Sequence, residues 1–139
     1  MGQLITTIVS VILLAFVQIG VVQVHTVMQL KNELLDLSFA TTKFVSNRGG
    51  RSDTDVTQAV KRFIKEEVNH KPYKLKDTDI RFLIKRSHAQ DRVLWSHADE
   101  FTIQMELPAP VLSKLFPFYQ HSIYSQRQGT INVMDYDHL

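Results

Sequence analysis

The apolar pattern of this chain changes period along its length, and each change marks an element boundary. From Leu4 to Val24, Ile, Val, Leu and Phe dominate, and no Asp, Glu, Lys or Arg precedes Lys31. A helix rises about 1.5 Å per residue, so this run covers about 30 Å, the thickness of a bilayer's hydrocarbon core. Charge then enters, yet apolar positions persist at spacings of three and four: Val27, Leu30, Leu34, Leu37, Thr41 and Phe44. This is an apolar seam on a helix that otherwise carries Lys31, Asn32, Glu33 and Asp36. No Gly or Pro pair interrupts the chain before Gly49-Gly50, so one continuous helix is predicted from about Leu4 to Asn47. Residues 1–28 read as a transmembrane helix and residues 29–48 as its amphipathic continuation.

Asn47-Arg48-Gly49-Gly50 is expected to stop that helix, with Gly supplying a left-handed C-cap. Ser52 and Asp53 are N-cap candidates for a second helix over Asp53–Val68. Its apolar face is Val56, Ala59, Val60, Phe63, Ile64 and Val68, while Lys61, Arg62, Lys65, Glu66 and Glu67 form a solvated face. After Lys71-Pro72 the period becomes two. Ile80, Phe82 and Ile84 predict a strand, with Leu83 out of pattern, and Arg92–His97 its partner across a loop at Ser87–Gln90. Phe101, Ile103, Met105 and Leu107 alternate with Thr102, Gln104 and Glu106, the cleanest strand signal, ended by Pro108-Ala109-Pro110. Val111–Phe116 reads as an apolar helical turn closed by Pro117, and Tyr119–Gln126 with Thr130–Tyr136 as a hairpin around Gln128-Gly129. The expected class is α+β: two helices, then a small antiparallel sheet of four to five strands, with residues 52–139 as the extramembrane domain.

Polar residues inside the apolar helix are aligned. At about 100° per residue, Gln3, Thr7, Gln18, His25 and Gln29 fall within about 40° of one line, with Ser10 slightly off it. An interhelical hydrogen bond from an amide such as Gln18 is worth about 0.6–2 kcal/mol in a bilayer, so the stripe favours a helix partner over lipid. Thr7, Gln18 and His25, together with Leu30, Leu34 and Leu37 of the seam, are the candidate helix–helix assembly residues. For the seam, packing on the chain's own domain and packing on a neighbouring copy are both open, and both can hold for different stretches.

A cleaved secretory signal fits less well than a retained anchor. No basic residue precedes the apolar run, the run is too long, and Val24-His25-Thr26-Val27-Met28 offers no small-x-small cleavage site. Lys31, Lys43 and Arg48 follow the apolar run and nothing but the α-amino group precedes it, which by the positive-inside rule mildly favours a cytoplasmic domain. The chain has 139 residues, leaving about 110 outside the anchor, enough for one small domain. A net charge of +2 with interspersed acids gives no basis for nucleic-acid binding. With no Cys, a disulfide framework, a thiolate zinc site and a cysteine nucleophile are excluded.

No catalytic constellation is visible. The six histidines have no H-x-x-x-H or HExxH spacing. His97, Asp99 and Glu100 share a turn, and Asp135, Asp137 and His138 a polar C-terminal tail. Gly49-Gly50 lacks the Lys-Ser or Lys-Thr of a phosphate loop, and no G-x-S-x-G elbow occurs. Trp95 and the aromatics Phe116, Phe118 and Tyr119 read as core or interface residues. The expectation is a non-enzymatic chain with no metal, no cofactor and no small-molecule substrate.

The apolar N-terminal helix with its amphipathic extension, followed by Glu100–Pro117 (EFTIQMELPAPVLSKLFP) and a β-hairpin over Tyr119–Tyr136, resembles TadE-like minor subunits among the type IV pilin-like proteins of tight-adherence systems. The resemblance covers most of the chain in layout. It implies a pilin-like, membrane-anchored accessory subunit of a pilus, secretion or conjugation apparatus, partnered by other pilin-like or apparatus subunits or by itself. It also implies an extracytoplasmic C-terminal domain, against the mild charge bias. Leader processing in that family follows a Gly, which here points to the bond between Gly2 and Gln3. The fifth residue after Gly2 is Thr7, where such pilins usually carry Glu, and this departure favours an accessory subunit over a major filament protein. The competing class is a non-polymerising single-pass membrane protein with a small partner-binding or sensory domain.

Overall fold

A computed structural model describes residues 1–49, 51–89, 91–110 and 122–132. Helix α1 runs unbroken over Gly2–Ser46 and α2 over Asp53–His70. A short 3-10 turn, Asp77–Asp79, leads into strands β1 (Arg81–His88), β2 (Glu100–Pro108) and β3 (Ser122–Thr130).

The rod predicted for the first helix is present, starting slightly before the expected Leu4. It closes on Asn47 at φ −94° and ψ 14°, so that cap residue is not left-handed. Ser52 caps α2 reciprocally: its Oγ accepts the Asp55 N–H at 3.3 Å, and its hydroxyl donates to Asp55 Oδ2 at 2.8 Å. Lys71, extended and followed by Pro72, ends that helix.

The described sheet has three strands in the order β1-β2-β3, both pairs antiparallel, where four to five were expected. Two local causes account for the difference. The Arg92–His97 segment makes no strand with β1. The Arg86 guanidinium accepts nothing but donates to the carbonyls of Asp91, Arg92 and Leu94 at 2.8–3.0 Å, and the Trp95 N–H donates to the Arg51 carbonyl. Those backbone groups are satisfied off the sheet, leaving a single bridge between Leu94 and Ser52. The partner of β1 is β2, with Phe82 opposite Met105 and Ile84 opposite Ile103. Secondly, Gln128-Gly129 is no turn: β3 runs straight through it, pairing Gln128 with Thr102 and Gly129 with Phe101. The expected helical turn Val111–Phe116, the aromatics Phe116, Phe118 and Tyr119, and Asp135, Asp137 and His138 lie outside the described residues, as do residues 133–136 of the expected return strand.

One sheet face carries the core. Phe101, Ile103, Met105 and Leu107 from β2 and Ile123 from β3 are buried against Leu34, Leu37 and Val45 of α1 and Val56, Val60 and Ile64 of α2. Leu83 and Tyr124 sit on the opposite face, exposed, which explains why Leu83 broke the alternation. Along α1 the small residues Ser38 and Thr42 lie buried over β3, whose matching position is Gly129; a Cβ there would stand 2.7 Å from Thr42 Cγ2.

Two polar clusters fasten the layers. The half-exposed one ties the segment after α2 to α1. Tyr73 donates to Asp36 in a very short hydrogen bond, Lys71 Nζ lies 3.3 Å from Asp36, and Glu33 accepts the Lys74 N–H at 2.9 Å. The Tyr73 bond, ahead of Lys71, holds the Asp36 carboxyl below its ordinary value, while burial first and Asp36 second push the Tyr73 phenol up. Tyr73 therefore stays a donor at neutral pH. The other cluster centres on Arg86, 3.1 Å from Asp53 and 3.7 Å from the fully buried Asp99, with Trp95 Nε1 donating to Asp53 at 2.6 Å. Of His97, Asp99 and Glu100, Asp99 has a structural role: it accepts the Ser96 N–H at 2.8 Å and faces an arginine, as a buried carboxylate must, while Glu100 opens β2.

Candidate assembly surface

Most residues of the apolar half of α1 are exposed. No residue in its most apolar 18-residue stretch is buried, and among the described residues this one helix is long and apolar enough to cross a bilayer. Leu4, Ile8, Val11, Leu14 and Val17 each expose about half of their surface or more, which in water would form an apolar patch far beyond what a monomer tolerates.

Burial along α1 follows one line. Phe16 and Gly20 are half-buried, Gln23 is 3% exposed, and Val27, Leu30, Leu34, Leu37 and Thr41 continue the same alternation of three and four. This is a heptad-like stripe that begins inside the apolar run and ends in the core of the domain. It assigns Leu30, Leu34 and Leu37 to the intramolecular role that the seam had left open. They are 8%, 0% and 0% exposed, so no neighbouring molecule can reach the latter two.

Thr7, Gln18 and His25 are placed differently. All three are exposed, and on a helical projection they lie about 180° from the domain-facing stripe. Thr7 donates to the Gln3 carbonyl at 2.8 Å, so its hydroxyl hydrogen is satisfied within the helix. Gln29, at the inner end of the line, donates to Glu33 at 3.2 Å. Among the described residues the Gln18 amide makes no hydrogen bond. Gly2 and Gln3 occupy the first, exposed turn of α1. A shallow groove of about 550 Å³ flanks the polar line from Leu13 to Met28, with His25 on its border. Gly20 contributes to it, and a Cβ there would meet nothing within 4 Å.

Neither a family model, a curated protein nor a solved structure matches the chain. The surface must be read from its own chemistry.

In hydrocarbon, an amide on an apolar helix is left unsatisfied by lipid contact alone, whereas a polar group on a second helix would satisfy it. The periodicity of the polar positions was readable in the sequence. The buried stripe through Phe16, Gly20 and Gln23 was not, because within the apolar run one side of the helix is as hydrophobic as another. Gln23, a polar residue in the apolar run that shares the face of Val27, Leu30 and Leu34, was the available signal. Elsewhere in the described residues, no group of three or more His, Asp or Glu converges as a metal site would require.

Proposed function

We propose that this chain is a single-pass, membrane-anchored structural or accessory subunit of a pilin-like kind, serving a pilus, secretion or conjugation apparatus through helix–helix and domain contacts. The observation that carries the reading is the division of α1 into opposed faces. One face is claimed by the chain's own sheet, and the other bears Thr7, Gln18 and His25 on an uncovered apolar rod. A rigid helix of 45 residues, continuous from the apolar half into the domain core, transmits the position of a neighbour in the membrane directly to the domain. The sheet's solvated face then presents Lys85, Gln104 and Gln128 for docking. In this reading the membrane helix is handled by partners.

The second reading, a non-polymerising single-pass protein with a partner-binding domain, is favoured by the burial of Leu34 and Leu37 and by Thr7 where pilin-like chains carry Glu. The absence of native Cys makes single-cysteine variants clean reporters. Oxidative crosslinking of Gln18→Cys in membranes is expected to join copies or a partner subunit, whereas Val9→Cys, on the far side of the helix, is not. Equal crosslinking from both positions would remove the polar stripe as an interface. Gln128→Cys, exposed on the sheet, is expected to react with an impermeant maleimide in intact cells. Labelling only after lysis would overturn the pilin-like reading in favour of a cytoplasmic domain. Processing before Gln3 is expected to appear in N-terminal sequencing of the mature chain.

A further inference from the structure

At the end of the rod remote from the apolar half, α1 and α2 enclose a cleft of about 280 Å³ that none of the preceding roles uses. Arg48, Arg51 and Arg62 line it, and among the described residues none of the three guanidinium groups has a carboxylate within ion-pair distance. Asp55 and Glu66 also border the cleft without closing such a pair. Its apolar wall is Phe44 stacked on Phe63, with ring centroids 4.4 Å apart, and the Arg48 guanidinium lies 4.4 Å over the Phe44 ring. Stacking of that kind fixes the plane of the guanidinium fork in advance, so less freedom is lost when it takes a planar anion.

We propose that this cleft is a docking site for an acidic segment of a partner polypeptide, a carboxylate side chain entering among the three arginines with an apolar neighbour against the phenylalanine pair. Three features select this class. Unpaired guanidinium groups favour carboxylate or phosphate in bidentate geometry. A space of this size takes one or two side chains and not a nucleotide. Asp55 and Glu66 at its border repel a continuous phosphate backbone while tolerating a single anion flanked by donors. The helix ends at Ser46, about 27 Å along its axis beyond residue 28, so the cleft stands about three Debye lengths from the surface of the anchoring membrane, which disfavours its own lipid headgroups as the ligand. That separation rests on reading the apolar run as the anchor; the binding chemistry does not.

The test uses the full chain in detergent micelles and fluorescein-labelled peptides, Gly-Ser-Glu-Phe-Glu-Ser-Gly and its counterpart with Gln in place of both Glu residues. Fluorescence anisotropy is expected to give at least tenfold tighter binding of the Glu peptide, weakening as salt rises. Arg62→Ala is expected to lose about tenfold. Arg62→Lys, which keeps the charge but not the fork, should lie between, and Lys61→Ala on the neighbouring helix position should not change affinity. Thermal melts of each variant separate loss of the site from loss of the fold. Equal affinity for the Glu and Gln peptides, or an unchanged affinity in Arg62→Ala with an intact melt, would overturn the proposal. Displacement of the peptide by inorganic phosphate at equal concentration would also overturn it, since the cleft would then be a small-anion site. Because the assay needs no bilayer, these outcomes are independent of whether Gln18 mediates assembly.

Discussion

Gly129 offers the sharpest test of how the rod is seated on the sheet. Adding a single methyl at this position, Gly129→Ala, places a Cβ 2.5 Å from Phe101 Cζ and 2.7 Å from Thr42 Cγ2. Neither neighbour can yield easily. Phe101 is fully buried, and the Thr42 methyl is held in place because its hydroxyl donates to the Ser38 carbonyl at 2.8 Å. Forcing a methyl into a packed core costs about 1–3 kcal/mol. Against this, replacing a strand glycine by alanine recovers about 0.5–1 kcal/mol of backbone entropy, leaving a net loss of about 1–2 kcal/mol. For a domain of about 100 residues that lowers the melting midpoint by about 5–15 °C. The assay is thermal unfolding of the full chain in detergent, followed by near-ultraviolet circular dichroism of the domain's aromatics. Thr42→Ser deletes the obstructing methyl and keeps the bond to Ser38, so Gly129→Ala combined with Thr42→Ser should recover part of the loss, with a coupling above about 0.5 kcal/mol. If Gly129→Ala melts at or above the parent temperature, β3 does not run beneath α1 and the register of the whole contact is wrong.

Other perturbations report on separate parts of the molecule. Arg86→Met withdraws the guanidinium from the buried Asp99 and from three loop carbonyls, and is expected to destabilise the domain by about 3–5 kcal/mol, read as a shift in denaturation midpoint. A loss below 1 kcal/mol by the same measure would mean that Asp99 finds water or another donor. Acid stability tests the Asp36 cluster. The folded carboxyl titrates below the ordinary 3.8, so its contribution is complete above that pH and is lost as pH falls through the lower folded value. Tyr73→Phe removes the first cause of the shift and should weaken the domain at neutral pH while flattening the acid limb of a pH melt; an unchanged limb would refute the coupling. In the apolar half, Gln18→Leu should leave insertion intact and reduce association of the anchor by about 0.6–2 kcal/mol, measured by energy transfer between labelled copies diluted in lipid. Unchanged association would assign Gln18 to lipid tolerance.

Elements whose local pattern agreed with their final environment could be read directly from the chain. The unbroken rod followed from a run with no proline and no glycine pair before Gly49-Gly50. The second helix followed from the Ser52 cap and the four-residue recurrence of Val56, Val60, Ile64 and Val68, and β2 from strict alternation into a one-sided core. In each case the determining interactions are local: backbone hydrogen bonds to nearby residues, or side chains placed by the period of the element itself. What only the tertiary structure decided concerns groups separated widely along the chain. Arg92–His97 has strand-like residues, but Arg86 and Arg51 capture its backbone. Gln128-Gly129 has turn-like residues, but Gly is needed there because α1 presses on the strand. The seam at Leu34 and Leu37 could equally have served a neighbour until the sheet covered it. Period fixes which residues share a face; it carries no information about what that face meets. Partner choice is set by which surfaces the folded chain brings together, and that is a property of the three-dimensional packing alone.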